Sequence, residues 1–118
     1  MNGQLKYAEI PKLTRSQLEV NFASRNPDRI ALSILSASLY DLDFTWIEGI
    51  CKHYLQSDNV DLLVASIRGI GNIARRSRRI IDISIISRLR ELRSSDTLQG
   101  AVEDTLDDIL IFSGPTVQ

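Results

Sequence analysis

Residues 58–75, Asp58 to Arg75, read DNVDLLVASIRGIGNIAR, and the spacing of their apolar side chains decides the fold. Leu63, Val64, Ile67, Ile70 and Ile73 or Ala74 recur at the steps that place side chains on one face of a helix. Asp58, with Asp61 following at capping distance, is the expected N-cap of this helix, which should run over about 60–75. Gly69, Gly71 and Ala74 also fit the G-x-G-x-x-A pattern of a dinucleotide-binding turn. That turn requires a strand before it, a helix after it and an acid about 20 residues further on. Here the preceding segment has helical period, and the next acid, Asp82, comes too early. The glycines are therefore expected inside a helix rather than around a phosphate.

The same period divides the rest of the chain into about five helices with short connections. Thr14 and Gln17 make a capping box that opens a helix to about Ser24. Asn26-Pro27 sets a cap before a proline at the first helical position, where its missing N–H costs nothing. That helix carries Ile30, Ala31, Ile34, Leu35 and Ser38 along one side and ends near Tyr40. Asp43 is the next N-cap, before a stripe of Ile47, Ile50, Cys51, Tyr54 and Leu55. Asp82 can cap a helix bearing Ile85, Ile86, Leu89 and Leu92, although the β-branched run from Ile80 to Ile86 also permits a strand. Asp96 and Gln99 form a further expected capping box, opening a last helix through Ile111, with Gly114-Pro115 as its stop. Residues 1–12 read as irregular and residues 113–118 as a tail.

A weak internal repeat underlies these helices. At one offset Ile47, Cys51, Tyr54, Asp58 and Val60 fall on Ile85, Leu89, Leu92, Asp96 and Leu98; at a slightly shorter one Ala65, Ile70 and Ile73 fall on Ala101, Leu106 and Ile109. Each unit is a helix, an Asp-containing turn and a second helix. Such a unit cannot bury its apolar face alone and must stack on a neighbour. The predicted fold is all-α, a short α-solenoid of antiparallel helix pairs in one domain spanning 1–118, and the spacing resembles that of HEAT and armadillo repeats.

Composition agrees and removes several function classes. The chain has 118 residues, 43% hydrophobic and 25% charged, which suits one globular domain and excludes a disordered one. One cysteine, Cys51, and one histidine, His53, leave too few ligands for a zinc site. As a nucleophile pair these two would stand two apart on a helix and point in different directions. Nothing singles out a catalytic pair of carboxylates either, so no enzyme, cofactor or metal is expected. The segment from Met1 to Lys12 lacks the pattern of a signal peptide, and no stretch approaches the roughly 20 apolar residues of a membrane span. A cytoplasmic location follows as the expectation.

Net charge is only −1, but it is segregated. Residues 62–93 hold eight arginines, whereas residues 94–118 hold Asp96, Glu103, Asp104, Asp107 and Asp108 and no base. In the last helix Leu98, Val102, Thr105, Ile109 and Phe112 share one face, and Glu103, Asp104, Asp107 and Asp108 occupy the opposite and flanking surface. Glu103–Asp107 and Asp104–Asp108 are like-charged neighbours, each pair costing a few tenths of a kcal/mol. Asp107 and Asp108 also lie toward the negative end of the helix dipole. Either arginines of the preceding unit, Arg75 or Arg76, neutralise these acids, or the acids await a basic partner; inner acids paired and outer ones free would satisfy both. Arg75, Arg76, Arg78 and Arg79 form a basic cluster that could instead bind nucleic acid, against which stand overall neutrality and the adjacent acids. Trp46, beside Asp41 and Asp43, suits either a core or an interface position.

Trp46, Cys51, Asp58 and Val60, the run Gly71-Asn72-Ile73-Ala74-Arg75, and the run Glu103-Asp104-Thr105-Leu106-Asp107-Asp108-Ile109 with Phe112 together resemble small HEAT-repeat immunity proteins. These accompany bacterial polymorphic toxins, including those of contact-dependent growth inhibition systems. The likeness covers about residues 30–112. It departs at Thr105, where alanine is usual, and in the Arg-rich run after Arg75. The resemblance implies a non-enzymatic protein that binds the C-terminal domain of a cognate toxin. If that toxin is a nuclease, its substrate surface is basic, and an acidic patch would occlude it. The residues expected to do so are Glu103, Asp104, Asp107 and Asp108, joined by Asp41, Asp43 and Trp46, with Arg75 structural. The competing expectations are a generic protein-binding scaffold and a nucleic-acid-binding solenoid that uses Arg75–Arg79.

Overall fold

The structure is a computed structural model that describes residues 9–113. Among these residues there are six helices and no strand: α1 (Arg15–Phe22), α2 (Pro27–Tyr40), α3 (Phe44–Tyr54), α4 (Val60–Ser77), α5 (Ile83–Leu92) and α6 (Gln99–Phe112). The all-α expectation holds, with six helices rather than five. Gly114-Pro115 lies outside the described residues, as does most of the N-terminal segment read as irregular. No described helix is long and apolar enough to cross a membrane.

Local chemistry sets most of the helix starts. Thr14 and Gln17 make both hydrogen bonds of a capping box, at 3.1 and 2.9 Å. The Asn26 side chain accepts from the backbone of Asp28 and Arg29 with Pro27 at the first position. Asp43 caps α3 through the Trp46 N–H, and Asp82 caps α5 through that of Ser84. Two expected caps are corrected. Asn59, not Asp58, accepts from Leu62 at the start of α4. Asp96 makes no cap; the Ser95 hydroxyl and carbonyl take the Leu98 N–H, winding a turn that leads into α6 at Gln99. The optional strand is not formed: Ile80 and Ile81 lie in the link between α4 and α5, and Ile83–Ile86 begin the helix.

The helices form three hairpins, α1/α2, α3/α4 and α5/α6, stacked through their second members. Cross-contacts give the direction. Going along α4, Gly69 faces Ile34 and Arg76 reaches Ser38 and Asp41 at the end of α2. On its other side, Ile67 meets Thr105 and Arg75 meets Asp108. α2, α4 and α6 therefore run parallel, with α4 in the middle, and this is why α4 is buried nearly all round. Of its predicted stripe, Leu63, Ile67, Ile70, Ile73 and Ala74 are buried and Val64 is partly buried, and Ile34, Ile47, Cys51, Leu89 and Val102 join them from the neighbours. At roughly 25 cal/mol per Å² of apolar surface removed from water, this shared core is the main term holding the stack.

Close packing of parallel helices needs small residues, and Gly69 and Gly71 supply them. A Cβ on Gly69 would stand 2.8 Å from the Cys51 sulfur and 3.2 Å from Ile34; one on Gly71 would stand 3.2 Å from both Asp108 and Thr105. The G-x-G-x-x-A pattern is thus a packing device inside a helix.

Candidate functional site

α6 lies at the end of the stack. Val102, Thr105 and Ile109 are buried on one face, with Leu98 packed just ahead of them; Phe112, expected on the same face, is only partly buried. The Thr105 hydroxyl, where the related pattern has alanine, donates to the Ile67 carbonyl at 2.9 Å and so pins α6 to α4.

The acids of α6 divide into two pairs. Asp108 is ion-paired with Arg75, and Glu103 with Arg93 at 3.4 Å. Asp104 and Asp107 are exposed and have no ion pair among the described residues. Together with Asp108, Leu39, Ala101, Arg68 and Arg75 they line a groove of about 620 Å³ between α4 and α6. Arg68, on the α4 side of this groove, is also exposed and unpaired among the described residues.

The Arg75–Asp108 pair, itself partly buried, belongs to a network that crosses all three parallel helices and is fully buried at Asn72 and Ser38. Arg75 donates its other arm to the Asn72 side-chain oxygen. The Asn72 amide donates to the Ser38 hydroxyl at 3.0 Å, and Ser38 donates to the Leu35 carbonyl, also at 3.0 Å. Every member with a buried polar atom is satisfied, as the low dielectric of an interior demands. Asn72 and Ser38 escape a sequence reading because a polar residue names no partner: Ser38 falls on the α2 stripe, and Asn72 lies opposite the α4 stripe, on a face that only the stacking of α4 buries.

The other arginines of the cluster are also engaged. Arg76 donates to the carbonyls of Ser38 and Asp41, both at 2.9 Å, closing the carbonyl end of α2 where a cation is favoured. Burial lowers its pKa from the ordinary arginine value, and the charge of Asp41 partly offsets this. Arg78 adopts the left-handed conformation that ends α4, with its guanidinium 5.5 Å from the Phe112 ring centre. Arg79 lies 3.8 Å from Glu48. Glu48 is 9% exposed and accepts from the Asp82 N–H at 3.1 Å.

The second group of expected site residues sits elsewhere. Asp41 accepts from the Asp43 N–H, and Asp43 both caps α3 and pairs with Arg15 at 3.5 Å. The Arg15 guanidinium covers the Trp46 ring at 3.4 Å, and Phe22 meets its edge. Trp46 is half-buried and lines a mostly apolar groove of about 670 Å³ between α1 and α3, with Phe22, Ile50 and Tyr54. Trp46 and the α6 acids thus line two different grooves. Cys51 is fully buried, and burial, followed by the nearby charge of Glu48, pushes its thiol pKa far up, which disfavours the reactive thiolate. Among the described residues no cluster of His, Cys, Asp or Glu could hold a metal ion.

In fold, this chain is similar to a chain of a CDI complex. That structure is the crystal structure of a CDI complex from Cupriavidus taiwanensis LMG 19424, with a TM-score of 0.74 and 25% sequence identity. The match covers 92% of this chain and 98% of that one. No protein-family model matches the chain, and no curated protein matches it. The likeness to a CDI complex agrees with the resemblance carried by Gly71–Arg75 and Glu103–Phe112.

Proposed function

We propose that this chain is an immunity protein, which binds the C-terminal toxin domain of a contact-dependent growth inhibition system in the bacterial cytoplasm and neutralises it without catalysing a reaction. The observation that carries this reading is the near full-length match to a chain of a CDI complex.

In finer detail, the toxin is a basic nuclease, and the acids of α6 occlude its substrate surface. Two aspartates, Asp104 and Asp107, remain unpaired among the described residues despite the penalty they impose on their own helix. Such charges accelerate encounter with a cationic surface and select against other partners. Glu103 and Asp108 flank them with charge already compensated. Asp41, Asp43 and Trp46 form a second contact zone, in which Trp46 has the partial exposure typical of an interface anchor. The rival reading as a nucleic-acid-binding solenoid loses support because Arg75, Arg76, Arg78 and Arg79 each hold an internal partner.

The test is co-expression with the toxin domain encoded beside this chain. Rescue of growth and recovery of a stable complex are expected. Unrelieved growth arrest, with no complex, would refute the immunity reading. Rescue from a toxin domain that lacks nuclease activity would refute only the choice of target.

A further inference from the structure

The outer face of α6 carries Gly100, Asp104, Asp107 and Ile111 in one line. Their spacing follows successive helical turns, so the four side-chain positions form a stripe along the solvent side, opposite Val102, Thr105 and Ile109. Each member is unexplained by the fold. A Cβ on Gly100 would meet nothing within 4 Å, so packing does not require the glycine. Asp104 and Asp107 have no ion pair among the described residues. Ile111 is 66% exposed, and Leu110 beside it is 62% exposed. A helix at the end of a stack is expected to show water a polar outer face; here the face changes along its length from bare backbone, through two charges, to an aliphatic end.

We propose that this stripe docks the toxin domain in a fixed direction: basic side chains of the toxin meet Asp104 and Asp107, and an apolar toxin side chain covers Ile111. The inference rests on the immunity reading and adds a register to it. Charge complementarity selects this occupant. A second copy laid on the same stripe would oppose aspartates to aspartates. Residues 114–118, Gly-Pro-Thr-Val-Gln, contain no base to neutralise them. Gly100, at the start of the helix, lets the partner approach the backbone closely.

Ile111→Asp separates this docking from simple charge attraction. Adding an acid to the stripe should strengthen, or leave unchanged, a contact made by charge alone. If Ile111 is covered by an apolar group, the added charge is buried without a partner and affinity falls. The probe is the toxin domain that co-purifies with the wild-type chain, and binding is measured by calorimetry at low and high salt. Ile111→Asp is expected to weaken binding about tenfold or more at both salts, with the neutral Ile111→Gln weakening it in the same direction. The thermal melt of the free chain should stay nearly unchanged, because the residue is exposed. Wild-type affinity retained or improved in Ile111→Asp would overturn the stripe while leaving the immunity function intact. So would self-association of the free chain that Ile111→Asp abolishes, or tighter toxin binding after deletion of residues 114–118. A wild-type chain that binds no toxin domain would overturn both.

Discussion

Arg75, near the end of α4, is ion-paired with Asp108 on α6 and holds Asn72 with its other arm. One guanidinium thus joins the last hairpin to the buried amide that contacts α2. Removing it strands a partly buried carboxylate and the Asn72 oxygen. Arg75→Ala should destabilise the chain by about 1–3 kcal/mol, read from urea unfolding. Asp108→Asn, which keeps an acceptor for Arg75, should cost less. A double-mutant cycle between the two should show clear coupling, whereas Arg75 and Asp28, on distant parts of the fold, should add independently.

Glycines inside helices separate packing from propensity. Gly69→Ala would push a methyl against the Cys51 sulfur and Ile34, both held in the core, and should destabilise by about 1–3 kcal/mol despite alanine's better helix propensity. Gly49, inside α3, has nothing within 4 Å of its Cβ position. Gly49→Ala should therefore stabilise by about 0.5–1 kcal/mol. Opposite shifts of the two melting temperatures are the expected outcome.

Asp82 predicts a pH dependence. Hydrogen bonds from the Ser84 backbone and hydroxyl, then from Lys52, hold its carboxyl below the usual aspartate range. A folded-state pKa below the unfolded one contributes stability that is present above about 3.9 and lost as pH falls through the folded value. The capping contribution to α5 should therefore fade only in acid below about pH 4. Comparing wild type with Asp82→Asn, the stability gap in urea unfolding should be constant at neutral pH and narrow in that acid window.

The caps Thr14, Asn26, Asp43 and Asp82 were legible in the sequence because a cap is local: the side chain and its N–H lie within a few residues of each other. The apolar stripes were legible for the same reason. Asn59 displaced Asp58 because neighbouring polar residues compete for one start and small backbone differences decide. Asp96 caps nothing because α6 begins only at Gln99, after a turn in which Ser95 takes the Leu98 N–H. The pairing of the α6 acids was not legible. A helical period shows that Asp104, Asp107 and Asp108 are outside the core, but which arginine reaches which acid depends on how α4 and α5 lie against α6. Arg75 was within the expected set, and Arg93 was not. Glu48 was hidden for a related reason: only the folded link brings the Asp82 N–H onto its carboxylate.

The central claim is that Asp104 and Asp107 are left uncompensated because a basic toxin domain needs them. The most direct measurement is the association rate of the co-purified toxin domain with the wild-type chain and with Asp104→Asn/Asp107→Asn, as a function of salt. The wild-type rate should fall steeply as salt rises, and the double variant should associate about tenfold more slowly at low salt with a flatter dependence. Equal rates and equal salt slopes for the two proteins would contradict the claim.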